Sequence, residues 1–209
     1  MNKIKICVPV IGKTLNEFLK NLDKVQEASS MVELRVDGLN LTQNDLILIR
    51  KRIKKETILT SRNKEIILSS LNLGFDFVDV DLLMMNDLKL SKNDRSRIIV
   101  SFHDHKKTPG INRLKLLVDK MRKFGSGVIK IATVINDDQD VKNLFQILLN
   151  KKENEKMIII GMGRRGQITR IFGPFLGSFL TFASTPFGKT ASGQIDINKM
   201  KKIYEILNF

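Results

Sequence analysis

Short apolar runs alternate with amphipathic stretches along the whole chain. Apolar runs of four to eight residues closed by polar or glycine positions read as strands, and apolar residues spaced by three and four read as helices. This pattern predicts strands over 3–10, 32–36, 57–61, 77–81, 97–102, 128–132, 157–161 and 178–183. It predicts helices over 14–28, 42–55, 64–73, 108–124, 137–149 and 196–207. Thr42 suits an N-cap, with Asp45 in the first turn against the helix dipole. Gly74 suits a helix stop, and Thr108-Pro109 a helix start with proline at its first position. In the last helix Ile197, Met200, Tyr204 and Leu207 fall on one face.

Alternating strands and helices with short apolar strands point to a single-domain (β/α)8 TIM-type barrel over residues 1–209. The rival is an open doubly wound sheet, but Val10-Ile11-Gly12-Lys13 lacks the glycine pattern that cradles a phosphate after a first strand. No linker, repeat or low-complexity block divides the chain.

A barrel carries its site at the C-terminal ends of its strands. Polar residues gather at those ends: Glu33, Arg35 and Asp37, then Arg62, Asp79 and Asp81, His103, Lys130, and Arg164, Arg165 and Arg170. Glu33, Arg35 and Asp37 share a face at period two, and a barrel interior accepts three charges only if they are paired or touch a ligand. Lys130 stands inside Val128-Ile129-Lys130-Ile131-Ala132. Burial there is expected to lower its pKa and leave a neutral amine able to attack a carbonyl. His103, at the end of the preceding strand, is placed to move protons. Together they suggest imine chemistry on a ketone or aldehyde. Plainer readings stand beside these: Lys130 snorkelling to water, His103 bonded to backbone, Glu33 with Arg35 as a structural pair, Arg62 and Arg170 as surface residues. His103 and His105 form a His-x-His pair, but with no other histidine and one distant cysteine a zinc site is disfavoured. Residues 185–194 read either as a loop that closes over a ligand or as a plain connector.

The formal net charge is +14, which raises a nucleic-acid reading. The charge is spread out, however, and one Tyr and no Trp give few stacking platforms. Most of the excess reads as solvated faces, and the rest as steering of an anionic substrate. No apolar stretch is long enough to cross a bilayer, and the N-terminus shows no secretory pattern. The single Cys7 rules out an internal disulfide and suits a reducing cytosol. A cytoplasmic location follows as an expectation.

These residues together resemble type I 3-dehydroquinate dehydratase, the imine-forming enzyme of the shikimate (chorismate) pathway. Glu33-Leu34-Arg35-Val36-Asp37 is similar to the family's Glu-x-Arg-x-Asp strand, Ser101-Phe102-His103-Asp104 to its histidine motif, and Val128-Ile129-Lys130-Ile131-Ala132 to its lysine motif. Segments 161–171 and 177–183 resemble its last two strands, and Ala191-Ser192-Gly193-Gln194 its closing loop. The resemblance implies dehydration of 3-dehydroquinate to 3-dehydroshikimate by syn elimination, with Lys130 forming the imine and His103 moving the protons. It implies that Arg170 holds the substrate carboxylate, that Thr190 and Gln194 touch substrate, and that Glu33, Arg35 and Arg62 bind ring hydroxyls or support residues that do. Met162 and Phe182 would be apolar walls. It implies no metal and no organic cofactor, a homodimer, and no nucleic-acid partner. Thr190 stands where relatives often have serine, Ser192 replaces a common proline, and Pro9 lies near a position that is often a contacting serine. Glu65 sits at a shifted spacing from the glutamate many relatives carry after Arg62, and receives no role. His105 replaces an apolar or aromatic neighbour and reads as structural. Two rivals remain at this point: an imine-forming aldolase on the same barrel, and a basic nucleic-acid-binding module.

Overall fold

The inner faces of several strands begin apolar and turn polar toward their C-terminal ends, which places a polar site above an apolar floor. The computed structural model describes residues 4–208. Nine strands form one parallel sheet: β1 (Ile6–Val10), β2 (Met31–Arg35), β3 (Glu56–Thr60), β4 (Phe77–Asp81), β5 (Ile98–Asp104), β6 (Val128–Val134), β7 (Met157–Met162), β8 (Thr181–Ser184) and β9 (Ile195–Asp196). Their order is β7-β6-β5-β4-β3-β2-β1-β8-β9. The sheet curls so that β7 and β8 meet without a strand ladder. Phe179 N–H donates to the Met157 carbonyl at 2.7 Å across that seam.

Cys7, Met31, Ile58, Phe77, Ile99, Val128, Ile158 and Leu180 pack inside the curl as an apolar floor. Two residues further along several of these strands the same face turns polar, at Glu33, Asp79, Ser101 and Lys130, because side chains of a strand alternate with period two. The alternate residues, such as Val32, Leu34, Val78, Val80, Ile129 and Ile131, face the surrounding helices and are buried there. Each such side chain contributes about 1.5–3 kcal/mol on leaving water.

The helices are α1 (Leu15–Ala28), α2 (Gln43–Arg52), α3 (Lys64–Asn72), α4 (Lys92–Arg97), α5 (Ile111–Arg122), α6 (Asp138–Leu149), α7 (Gln167–Phe172) and α8 (Ile197–Ile206). Thr42 caps α2 with a full capping box to Asp45. That helix ends at Arg52 rather than residue 55. Between β4 and β5 the chain inserts a 3-10 turn (Leu82–Asp87) and α4, neither of which has an apolar period long enough to read. The predicted start of α5 is wrong: Gly110 is its N-cap and Ile111 its first residue. Thr108 instead donates to the Val134 carbonyl at 2.8 Å and pairs with the Thr133 hydroxyl at 2.7 Å, tying the loop to β6. The last barrel strand starts at Thr181, not 178, and β9 adds a two-residue pair beyond it. The first strand begins at Ile6. The readings placed on residues 1–3 lie outside the described residues.

Candidate active site

At the C-terminal ends of the strands lies a cavity of about 390 Å³, within the range of small-molecule sites. Glu33, Arg35, Arg62, His103, Lys130, Arg170, Thr190 and Gln194 all line it. So do Asp79, Asp81, His105, Met162 and Phe182.

Lys130 lies at the bottom of this space, with only 6% of its surface exposed. Its Nζ donates to Asp79 Oδ2 at 2.7 Å and stands 3.8 Å from Glu33 Oε1. Thr60 donates to Glu33 Oε1 at 3.0 Å, and Ser101 donates to Asp79 Oδ1 at 2.6 Å. The Phe182 ring centroid is 4.9 Å from the same nitrogen. Here the expectation from sequence is corrected. Burial pushes the Lys130 amine down, but the charges of Asp79 and Glu33 outweigh it and hold the group above its ordinary value. Burial likewise opposes ionisation of Asp79, and Lys130 and the Ser101 hydroxyl reverse that, holding Asp79 low. The resting site therefore holds an ammonium between carboxylates, not a neutral amine.

His103 belongs to the same face of β5 as Ser101, and Ser101 is in register with Lys130. The histidine is thus one two-residue step further out on the neighbouring strand, roughly 7–8 Å away at Cα by ordinary sheet geometry. Its ring stands at the rim, one side open to water and the other against protein. The protein packed around it, and then the Lys130 charge, push it down to about 4, against the opposing pull of Asp79 and Asp81. At neutral pH it is an unprotonated base.

Arg170, in the short helix α7, is 1% exposed. Its Nε and Nη2 have no hydrogen-bond partner, and burial pushes the guanidinium down to about 10. Its carbonyl is fixed by the Thr181 hydroxyl at 2.8 Å and the Tyr204 hydroxyl at 3.0 Å. A buried cation with two vacant donors is costly unless an anion joins it. Arg35 differs: its Nε and Nη2 both donate to Asp37 at 2.9 Å.

The segment after β8 lies over one side of the cavity. Gln194 Oε1 accepts the N–H groups of Thr190 at 2.8 Å and Ala191 at 3.2 Å. The Ser192 carbonyl accepts Gly163 N–H at 3.2 Å. Gly193 has φ +79°, and a Cβ there would strike the Gly163 carbonyl, so only glycine lets the two loops meet. Glu65 is exposed in the first turn of α3 and does not line the cavity. Among the described residues no group of three or more His, Cys, Asp or Glu side chains comes together as a metal would need.

Asp79 is named by the sequence only as a polar strand-end residue, with no role assigned. It was visible only as one of two acids alternating with Phe77, Val78 and Val80, two strands away from the lysine strand.

A family model described as type I 3-dehydroquinase matches residues 6–208. The 3-dehydroquinate dehydratase of Coxiella burnetii is 40% identical over 220 residues, covering 98% of this chain and 94% of that protein. That of Methanocaldococcus jannaschii is 33% identical, covering 97% of this chain and 99% of its own. Among solved structures, the 3-dehydroquinate dehydratase from Aquifex aeolicus superposes with a TM-score of 0.80 at 26% identity, covering 97% of this chain and 98% of that one. The one from Geobacillus kaustophilus reaches a TM-score of 0.86 at 22% identity, covering 99% and 92%, and supports the fold alone.

Proposed function

The chain belongs to the type I 3-dehydroquinase family and dehydrates 3-dehydroquinate in the shikimate pathway; from this we propose that Lys130 forms an imine with the substrate ketone and His103 moves the protons. The observation that carries this reading is a buried amine and a buried, unsatisfied guanidinium lining one small cavity. The amine meets a carbonyl, and Arg170 meets a carboxylate.

Since the resting amine is charged, its first step is to lose a proton. His103, held unprotonated, is the base for it. The freed amine attacks the ketone carbon. His103 returns the proton as the carbinolamine oxygen leaves as water, and a protonated imine remains. The iminium carries the same single positive charge at the same nitrogen as the ammonium did. Asp79 and Glu33, at 2.7 and 3.8 Å, therefore serve both states without rearrangement, which is electrostatic preorganisation.

The iminium draws electrons from the adjacent carbon. His103 takes that carbon's proton, and the electron pair moves onto nitrogen as an enamine. The same imidazolium then protonates the hydroxyl on the next carbon, which departs as water while the enamine electrons re-form the iminium. One group serves as base and then acid on one face, so the elimination is syn. Water hydrolyses the iminium, and Lys130 returns as ammonium. Arg170 fixes the carboxylate, Arg35 and Arg62 with Glu33 engage the ring hydroxyls, Thr190 and Gln194 close the site, and Met162 and Phe182 wall it. Dehydration rather than aldol cleavage is favoured by Arg170 and by a base beside the imine.

Kinetics of two variants test these roles. His103→Gln should lower kcat by about 10²–10⁴, the range for a lost acid–base group. Lys130→Met should abolish turnover. A Lys130→Met protein that keeps its fold and turns over within tenfold of wild type would end the imine reading. The same proposal takes the protein as a cytoplasmic homodimer with no nucleic-acid partner. Among the described residues no helix is long and apolar enough to cross a membrane. Sedimentation and a low-salt nucleic-acid binding assay test the last two points.

A further inference from the structure

We propose that His105 is a positioning residue for His103: stacked on it at the cavity mouth, it aligns that ring and keeps it in the uncharged form that accepts a proton. The inference rests on reading His103 as the base. His103 lies near the end of β5 and His105 just past it, two residues on, and both line the cavity. Their planes are 9° from parallel and their centroids 6.2 Å apart. Among the described residues neither ring makes a hydrogen bond to a protein group, so no carboxylate or carbonyl fixes the plane of His103. The stack is the directional contact left to it.

Charge acts through the same contact. The groups facing His103 are Lys130 from β6, Asp79 and Asp81 from β4, and His105 from the turn that follows β5. Arg35, Arg62 and Arg170 line the same cavity further round. Asp79 already holds Lys130 at 2.7 Å, and one oxygen of Asp81 accepts Leu83 N–H at 2.9 Å. The two acids that favour a charged imidazole are thus partly engaged elsewhere. A positive charge on His105 opposes a second one on His103, as burial and Lys130 also do. At 6.2 Å, between two exposed rings and with a dielectric near that of water, this repulsion moves the His103 midpoint by about half a pH unit.

The chain has only two histidines, so NMR of histidine-labelled protein reads both rings, and a His105 variant leaves His103 alone. His105 is exposed, and its replacement leaves the core intact. In His105→Gln, which removes ring and charge but keeps the position polar, the His103 midpoint should rise by about half a pH unit. The acid limb of kcat/KM should rise by the same amount. His105→Phe, which keeps a flat ring, should raise both while preserving more of kcat than Gln does. Unchanged His103 midpoints in both variants overturn the inference. A midpoint that rises while the acid limb stays put shows that His103 is not the base, which overturns the proposed mechanism instead. Activity lost equally at every pH with the acid limb in place makes His105 a substrate contact and also overturns it.

Discussion

Replacing Asp79 by Asn removes one negative charge from a buried cluster and changes little in shape. Asp79 and Lys130 are 4% and 7% exposed at their side chains, and their charged atoms are 2.7 Å apart. At that distance and an effective dielectric near 20, the attraction is about 6 kcal/mol. Desolvation of both groups absorbs much of it, and broken buried pairs typically cost about 3–5 kcal/mol. Glu33 remains 3.8 Å from the amine and an Asn can still bond Ser101, so the lower end, about 3 kcal/mol, is expected. Asp79 is held low, so its share of stability is present above the free carboxylate value of about 3.9 and lost as pH falls through its native value. Lys130 is held high, so its share is present below about 10.4 and lost as pH rises through its native value. The stability gap between wild type and Asp79→Asn should therefore be flat from about pH 5 to 9 and close below about pH 4. Urea unfolding at a series of pH values measures it. Lys130→Met and the double variant complete a cycle with an expected coupling of about 2 kcal/mol. A gap under about 1 kcal/mol at pH 7, the size of an exposed pair, would refute the claim of a buried ammonium held by this carboxylate.

Other outcomes follow from the same geometry. Arg170→Met should leave stability unchanged or raise it, because two buried donors there lack partners. It should also raise KM by about 100-fold through loss of charged hydrogen bonds, as steady-state kinetics will show. Gln194→Ala removes the acceptor for Thr190 and Ala191 N–H, and KM should rise about tenfold as the loop loses two hydrogen bonds. The acid limb of kcat/KM should lie below the free imidazole value of about 6.5 and reach toward 4, because His103 is pushed down; a limb at or above 6.5 would contradict the crowded, Lys130-facing placement of that ring.

Much of the barrel was legible because its strands and amphipathic helices have strong periods. Thr42 with Asp45 marked α2 correctly, since a capping box is a local signal. The failures have local causes too. A six-residue helix such as α4, Lys-Asn-Asp-Arg-Ser-Arg, buries nothing and so leaves no apolar period. Proline at residue 109 looked like a first helical residue, but the tertiary bond of Thr108 to β6 delays the helix to Ile111. In the cavity, strand ends announced the polar residues, and family motifs assigned roles to them. The charge state of Lys130 was misjudged because burial was weighed without its partner. Asp79 comes from β4, across Ser101 on β5, and reaches the amine only when the sheet curls. The vacant donors of Arg170 were equally hidden, since they depend on α7 being packed under α8 and β8.

Reductive trapping at residue 130 probes the chemistry at its covalent step. Wild-type protein is mixed with 3-dehydroquinate and borohydride, digested, and mapped by mass spectrometry. A single reduced adduct on Lys130, with activity lost in proportion, is the expected result. Active protein that acquires no adduct, or acquires it on another lysine, would contradict the account.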